Sequence, residues 1–191
     1  MFGRFGRLKL LFGATMAVAL LAANIGVASA HQWCAGWPDG CFHWNKGGSQ
    51  IIIQNWNYAS NWQAAENARQ DGWNKIGILY NYNVNYHTDI SVFDGNFGAT
   101  GWAGLATIEG LDFDWGCLCW DHINHAHARY NTYYGGGQQY IQGVFCQEIA
   151  HGWGLDHSNT GDCMGLGYYA GSTDYYGPHN NTDFYNMYRF H

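Results

Sequence analysis

From Gln50 onward the apolar positions fall into two rhythms. Ile51 to Trp56 is an apolar-rich run of strand length, whereas Trp62, Ala65, Ala68 and Trp73 recur near a helical period and predict a helix from Ser60 to Lys75. Tyr58 to Ser60 supply its start. Short strand-like stretches follow at Ile76 to Tyr82, Ile90 to Phe93, Trp102 to Ile108 and His125 to Tyr130, separated by Gly, Asn and Asp. A second helix is predicted from Gln138 to Trp153, then a Gly- and Tyr-rich loop to Asn180 and a terminal helix from Thr182 to Tyr188. A sheet packed on two main helices is an α+β architecture.

The start of the chain has a different character. Arg4, Arg7 and Lys9 precede an apolar run from Leu10 to Val27 that closes on Ala28, Ser29 and Ala30, the layout of a secretory signal peptide. Gly13, Thr15, Asn24 and Gly26 interrupt the run, which is marginal for a membrane anchor. The expected organisation is therefore a signal at 1–30, a Cys- and Trp-rich irregular leader at 31–49 and one domain at 50–191, exported and free of the membrane after cleavage. A single monomeric domain of this length can bury a core unaided. Three of the eight basic residues leave with the signal while all fourteen acidic ones stay, so the mature chain is strongly acidic. That argues against a nucleic-acid partner. Charged residues make up only 12% of the chain, so amides, hydroxyls and backbone must wet the surface.

All six cysteines lie beyond the signal, and an even count outside the cytoplasm reads first as disulfides. Cys34 and Cys41 flank a short loop through Pro38, Asp39 and Gly40, which makes them a natural pair. Cys117 and Cys119 stand two apart, too far along a strand for an unstrained bond, and are left either paired under strain or reduced.

The chemistry concentrates in Gln147-Glu148-Ile149-Ala150-His151-Gly152-Trp153-Gly154-Leu155-Asp156-His157. Positions 147 and 151 stand one helical turn apart and face the same side, so both side chains can reach one ion, with Glu148 beside them. Gly154 can take a positive φ, ending the helix and returning His157 to that ion. The segment resembles the metzincin pattern His-Glu-x-x-His-x-x-Gly-x-x-His at Glu148, His151, Gly154 and His157, and departs from it at Gln147. Cys163-Met164-Gly165 resembles the Met-turn that floors a metzincin zinc site. The likeness, of a secreted bacterial matrixin-like type, implies a twisted mixed sheet on two main helices, a catalytic Zn2+ held by His151, His157 and Gln147, and Glu148 as general base. It also implies a Cys146–Cys163 disulfide and a peptide or protein substrate lying along a sheet edge. One of Tyr168, Tyr169, Tyr175 and Tyr176 would steady the oxyanion, and the sequence does not select among them.

Three states remain open for Gln147: a ligand through its amide oxygen, a bystander to a two-histidine site completed by water, or the mark of a lost site. His87-Thr88-Asp89 with Phe93-Asp94-Gly95, joined by His125 or His127, is similar to the matrixin strand and loop that hold a second, structural Zn2+ or Ca2+. Thr107 stands where that family has a ligand. Cys34 to Asp39 faintly resembles the matrixin cysteine switch. Two other functions compete with a peptidase: a catalytically silent binding protein that uses exposed Trp and Tyr, and a copper polysaccharide monooxygenase built on His31 as the new N-terminus.

Overall fold

The computed structural model describes residues 33–34, 41–45, 55–57, 60–76, 89–116, 118–158, 161–165 and 174–188. The signal segment, His31, Ile51 to Gln54 and the strand expected after Ile76 lie outside these residues. Among these residues five strands form one sheet: β1 His43–Trp44, β2 Asn55–Asn57, β3 Ile90–Gly95, β4 Gly104–Asp114 and β5 Cys119–Asn131. Among the described residues three α-helices accompany it: α1 Trp62–Ile76, α2 Gln138–Gly152 and α3 Pro178–Tyr188. The protein is α+β and its sheet is mixed, since β4 runs antiparallel to β5 while β1, β2 and β3 pair in parallel.

β5 organises the rest. One of its edges carries β4 along nearly its whole length, and the other carries β1 at residues 122–123 and β3 from residue 126 on. Among the described residues no strand covers the outer edge of β4. Ala126, Ala128 and Tyr130 alternate inward from β5, the period of a sheet with one face on the core. Two alanines in that row keep the inner face shallow, and α2 lies against it with Val144, Phe145 and Ile149 buried. α1 packs on α2 through the small stripe Ala64, Ala65 and Ala68, and Asn67 donates to Gln142 across the pair at 3.0 Å.

Trp62, expected on the buried face of α1, is 59% exposed. It sits in the first turn, just after Ser60 and Asn61 are tied to Asp94, so the buried stripe begins only at Ala64. The expected irregular leader also differs, since His43 and Trp44 form a strand. Trp44 is buried in the core, with its indole N–H donating to the Gly152 carbonyl at 2.9 Å. A two-residue strand has no period, which is why pattern alone gave no sign of it. α3 starts at Pro178 rather than Thr182, because proline suits a first helical turn, where an N–H has no partner to lose.

Candidate metal centre

α2 brings Gln147, Glu148 and His151 to the place where the chain turns back. The helix closes with Trp153 still right-handed at φ −86°, and Gly154 then takes φ +97°. A Cβ on Gly154 would overlap the Phe42 carbonyl oxygen, so both backbone conformation and space require glycine there. Gly154→Ala is accordingly expected to lower stability by at least about 1–3 kcal/mol, the scale of a strained φ, in a denaturant titration against the parent protein. An unchanged midpoint would show that the turn tolerates a side chain.

The turn returns the chain so that the rings of His151 and His157 meet edge to face, centroids 4.6 Å apart. His151 is buried, and its Nδ1 lies 2.8 Å from the Leu155 carbonyl. A carbonyl only accepts, so Nδ1 carries the proton and Nε2 keeps its lone pair. Burial holds this imidazole well below its usual range, at about 4, so it is neutral at neutral pH. Trp33 packs against the same ring, centroids 5.4 Å apart, anchored by its backbone N–H on the Gly154 carbonyl. His157 is exposed, with its Nδ1 3.7 Å from Asp156. A buried ring fixed by a carbonyl and a second ring open to solvent form a donor pair suited to zinc.

Gln147 donates its amide N–H to the Gly165 carbonyl at 3.2 Å, which leaves the amide oxygen as its lone-pair donor. Glu148 is buried beneath β4. The backbone N–H of Ala106 bonds its carboxylate, but burial dominates and pushes its pKa up to about 8. Gly104 lies directly on it, and a Cβ there would overlap the Glu148 carboxylate and crowd Val144.

Met164 is fully buried below this group. Its N–H and the Ser158 hydroxyl both bond Asp162 Oδ1, at 3.0 and 3.2 Å, and its carbonyl accepts from the Ser158 N–H at 2.7 Å. Asp162 thus organises the methionine turn as an Asx turn. Cys146 and Cys163 are disulfide-bonded and tie the helix to that turn across 17 residues. Breaking the bond by Cys146→Ser with Cys163→Ser is expected to cost about 3 kcal/mol, the loop-closure value for such a span, read as a fall in melting temperature. No change in melting would mean the turn is held by its hydrogen bonds alone. Cys34 bonds to Cys41, so it has no thiol to act as a switch, and Cys119 is disulfide-bonded as well.

Of the four tyrosines, Tyr176 is a core residue: buried, stacked on Trp153 and donating its hydroxyl to the Cys146 carbonyl at 2.7 Å. Tyr175 is exposed, and Tyr168 and Tyr169 lie outside the described residues. Three residues expected near a second metal site, Asp94, His125 and His127, have protein partners. Asp94 accepts from the backbone and side chains of Ser60 and Asn61, where it opens α1. On β5 the Arg129 guanidinium, which can only donate, bonds His127 Nδ1 at 2.6 Å. Glu109 Oε1 lies 3.1 Å from the same Nδ1, and His127 Nε2 lies 3.1 Å from His125 Nε2. His87 and Thr88 lie outside the described residues.

Sequence reading missed the groups that orient this centre, namely Trp33, Gly104, Ala106 and the Leu155 and Gly165 carbonyls. Only Asp162 had a local signal, an Asx residue two positions before the methionine it supports. No family model matches the chain, and no curated protein matches it. Among solved structures the chain is similar to high choriolytic enzyme 1, a hatching enzyme zinc-protease from Oryzias latipes (medaka fish), at 17% identity and a TM-score of 0.36. That match covers 60% of this chain and 50% of the other, so the chain spans about half the length of the structure it matches.

Proposed function

We propose that the chain is a secreted zinc-dependent metalloendopeptidase of the metzincin type. The observation that carries this reading is the meeting of the His151 and His157 rings across the turn at Gly154, with Glu148 three residues before His151 on the same side of the helix. His151 Nε2, a His157 nitrogen and the Gln147 amide oxygen are the atoms that would hold the ion. Zinc, when bound, supplies Lewis-acid polarisation of a peptide carbonyl and acidifies water.

The chain's own groups supply the rest. Glu148 takes a proton from the attacking water and returns it to the leaving amine nitrogen. Its pKa falls when positive charge is placed beside it, which restores a carboxylate able to act as base. Among the described residues no strand covers the outer edge of β4 beside Glu148, where an extended peptide can add as a further strand. Met164 and the Cys146–Cys163 bond keep the floor from shifting as substrate binds.

Purified protein is expected to hold zinc that is lost on replacing His151 and His157 by Ala, and to cleave casein only while that zinc is present. Proteolysis indifferent to a chelator would overturn the assignment. Zinc bound at these histidines with no cleavage of any protein substrate would favour the binding-protein reading, to which exposed Trp115 and Trp120, packed on half-buried Phe113, also lend support.

Gln147→His tests the ligand set. The substitution places a third imidazole one turn before His151, and imidazole nitrogen is a better donor to zinc than an amide oxygen. Zinc should then bind more tightly in competition with a chelator at fixed pH, while activity need not rise in step. Equal affinity in the two forms would remove position 147 from the centre.

A further inference from the structure

A second cluster of metal-type side chains lies outside this centre. His43, Asp121 and His122 each offer a ligand atom, these atoms all lie within 4.8 Å of one another, and all three residues are buried. We infer that they form a separate structural site for a divalent transition metal, zinc above all, which staples the N-terminal segment to the sheet.

The local geometry is built for convergence. β1 and β5 pair in parallel with His43 opposite His122, which sets the two rings side by side, 4.8 Å between centroids. Neighbours on a regular strand point to opposite faces, so Asp121 and His122 should not share a target. A bulge removes that obstacle. Asp112 pairs with His122 but Phe113 pairs with Trp120, leaving Asp121 as the extra residue on β5. Bulges of this kind re-aim a side chain.

The donor chemistry selects the metal. His43 Nδ1 lies 2.9 Å from the Cys41 carbonyl, so that nitrogen carries the proton and Nε2 presents the lone pair, the arrangement found behind metal-bound histidines. Asp114 Oδ2 stands 3.7 Å from His122 Nε2, so a fourth donor atom is adjacent. Two imidazoles with one or two carboxylates match zinc, whereas calcium and magnesium ask for shells of oxygen. The Cys34–Cys41 disulfide, two residues away, constrains the strand that carries His43. Through that strand the site would hold Trp33 and Trp44, which bond the Gly154 and Gly152 carbonyls at the end of the catalytic helix.

The test is zinc stoichiometry by elemental analysis on purified protein and three variants, after dialysis against sub-micromolar free zinc. The parent should carry two zinc ions per chain. His151→Ala with His157→Ala should carry one, and Asp121→Asn and, separately, His43→Gln should each carry the other. Added zinc should raise the melting temperature of the double-alanine variant, and Asp121→Asn in that background should abolish the rise. Asp121→Asn is nearly isosteric, and secretion with an unchanged circular dichroism spectrum shows that it folds. His43→Gln supplies the reading if it does not. The inference is overturned if the double-alanine variant binds no zinc, or if the zinc it binds survives Asp121→Asn and His43→Gln. A chain holding one ion that depends on His43 and Asp121 but not on His151 would instead leave this site standing and sink the catalytic assignment.

Discussion

Glu148→Gln is expected to lower turnover of a protein substrate by about 10²–10⁴-fold while zinc content and fold are kept. The amide has the volume of the carboxylate and still accepts from the Ala106 N–H beneath β4, so the packing against Gly104 and Val144 is undisturbed. What is lost is the group that takes the proton from water and returns it to the leaving nitrogen. The loss should appear in kcat and kcat/KM alike, since substrate contacts along β4 do not involve this atom. Casein hydrolysis at matched zinc occupancy, with chelator blanks, measures it. Turnover within a few-fold of the parent would take Glu148 out of the mechanism.

The second large effect is a loss of stability of the zinc-free protein as pH rises. Folding moves Glu148 from its ordinary 4.5 up to about 8, and His151 from 6.5 down to about 4, both chiefly by burial. The raised Glu148 binds more protons folded than unfolded, so its contribution is complete below 4.5 and is lost as pH climbs through 8. The depressed His151 works in the opposite sense, with its contribution present above 6.5 and lost as pH falls through 4. Between 4.5 and 6.5 the two slopes cancel. Between 6.5 and 8 only Glu148 still titrates, and stability should fall by roughly 2 kcal/mol at about 1.4 kcal/mol per pH unit. Urea unfolding of chelator-treated protein at pH 6.5 and pH 8 reads this directly, and Glu148→Gln should flatten the difference. Parallel losses in the parent and the Gln variant would assign the pH dependence elsewhere.

The sequence by itself determined what depends on neighbours along the chain. The one-turn spacing of Gln147 and His151 follows from the helical repeat, and Gly154 announces the turn because only glycine sits easily at its positive φ. α2 and the second half of β5, from His125 to Tyr130, were equally legible, since their apolar residues keep one period for several turns or pairs. Tertiary structure decided what depends on segments far apart. Trp33 against His151 and Gly104 against Glu148 are contacts across 118 and 44 residues, and no local pattern encodes which loop will land on which ring. The same holds for His43 beside His122, where a two-residue strand carries no period and a bulge overrides the alternation that would have separated Asp121 from His122. Asp94 and His127 make the point from the other side. Both belong to residue types that hold metals, but the fold set a helix start against one and a guanidinium with a carboxylate against the other.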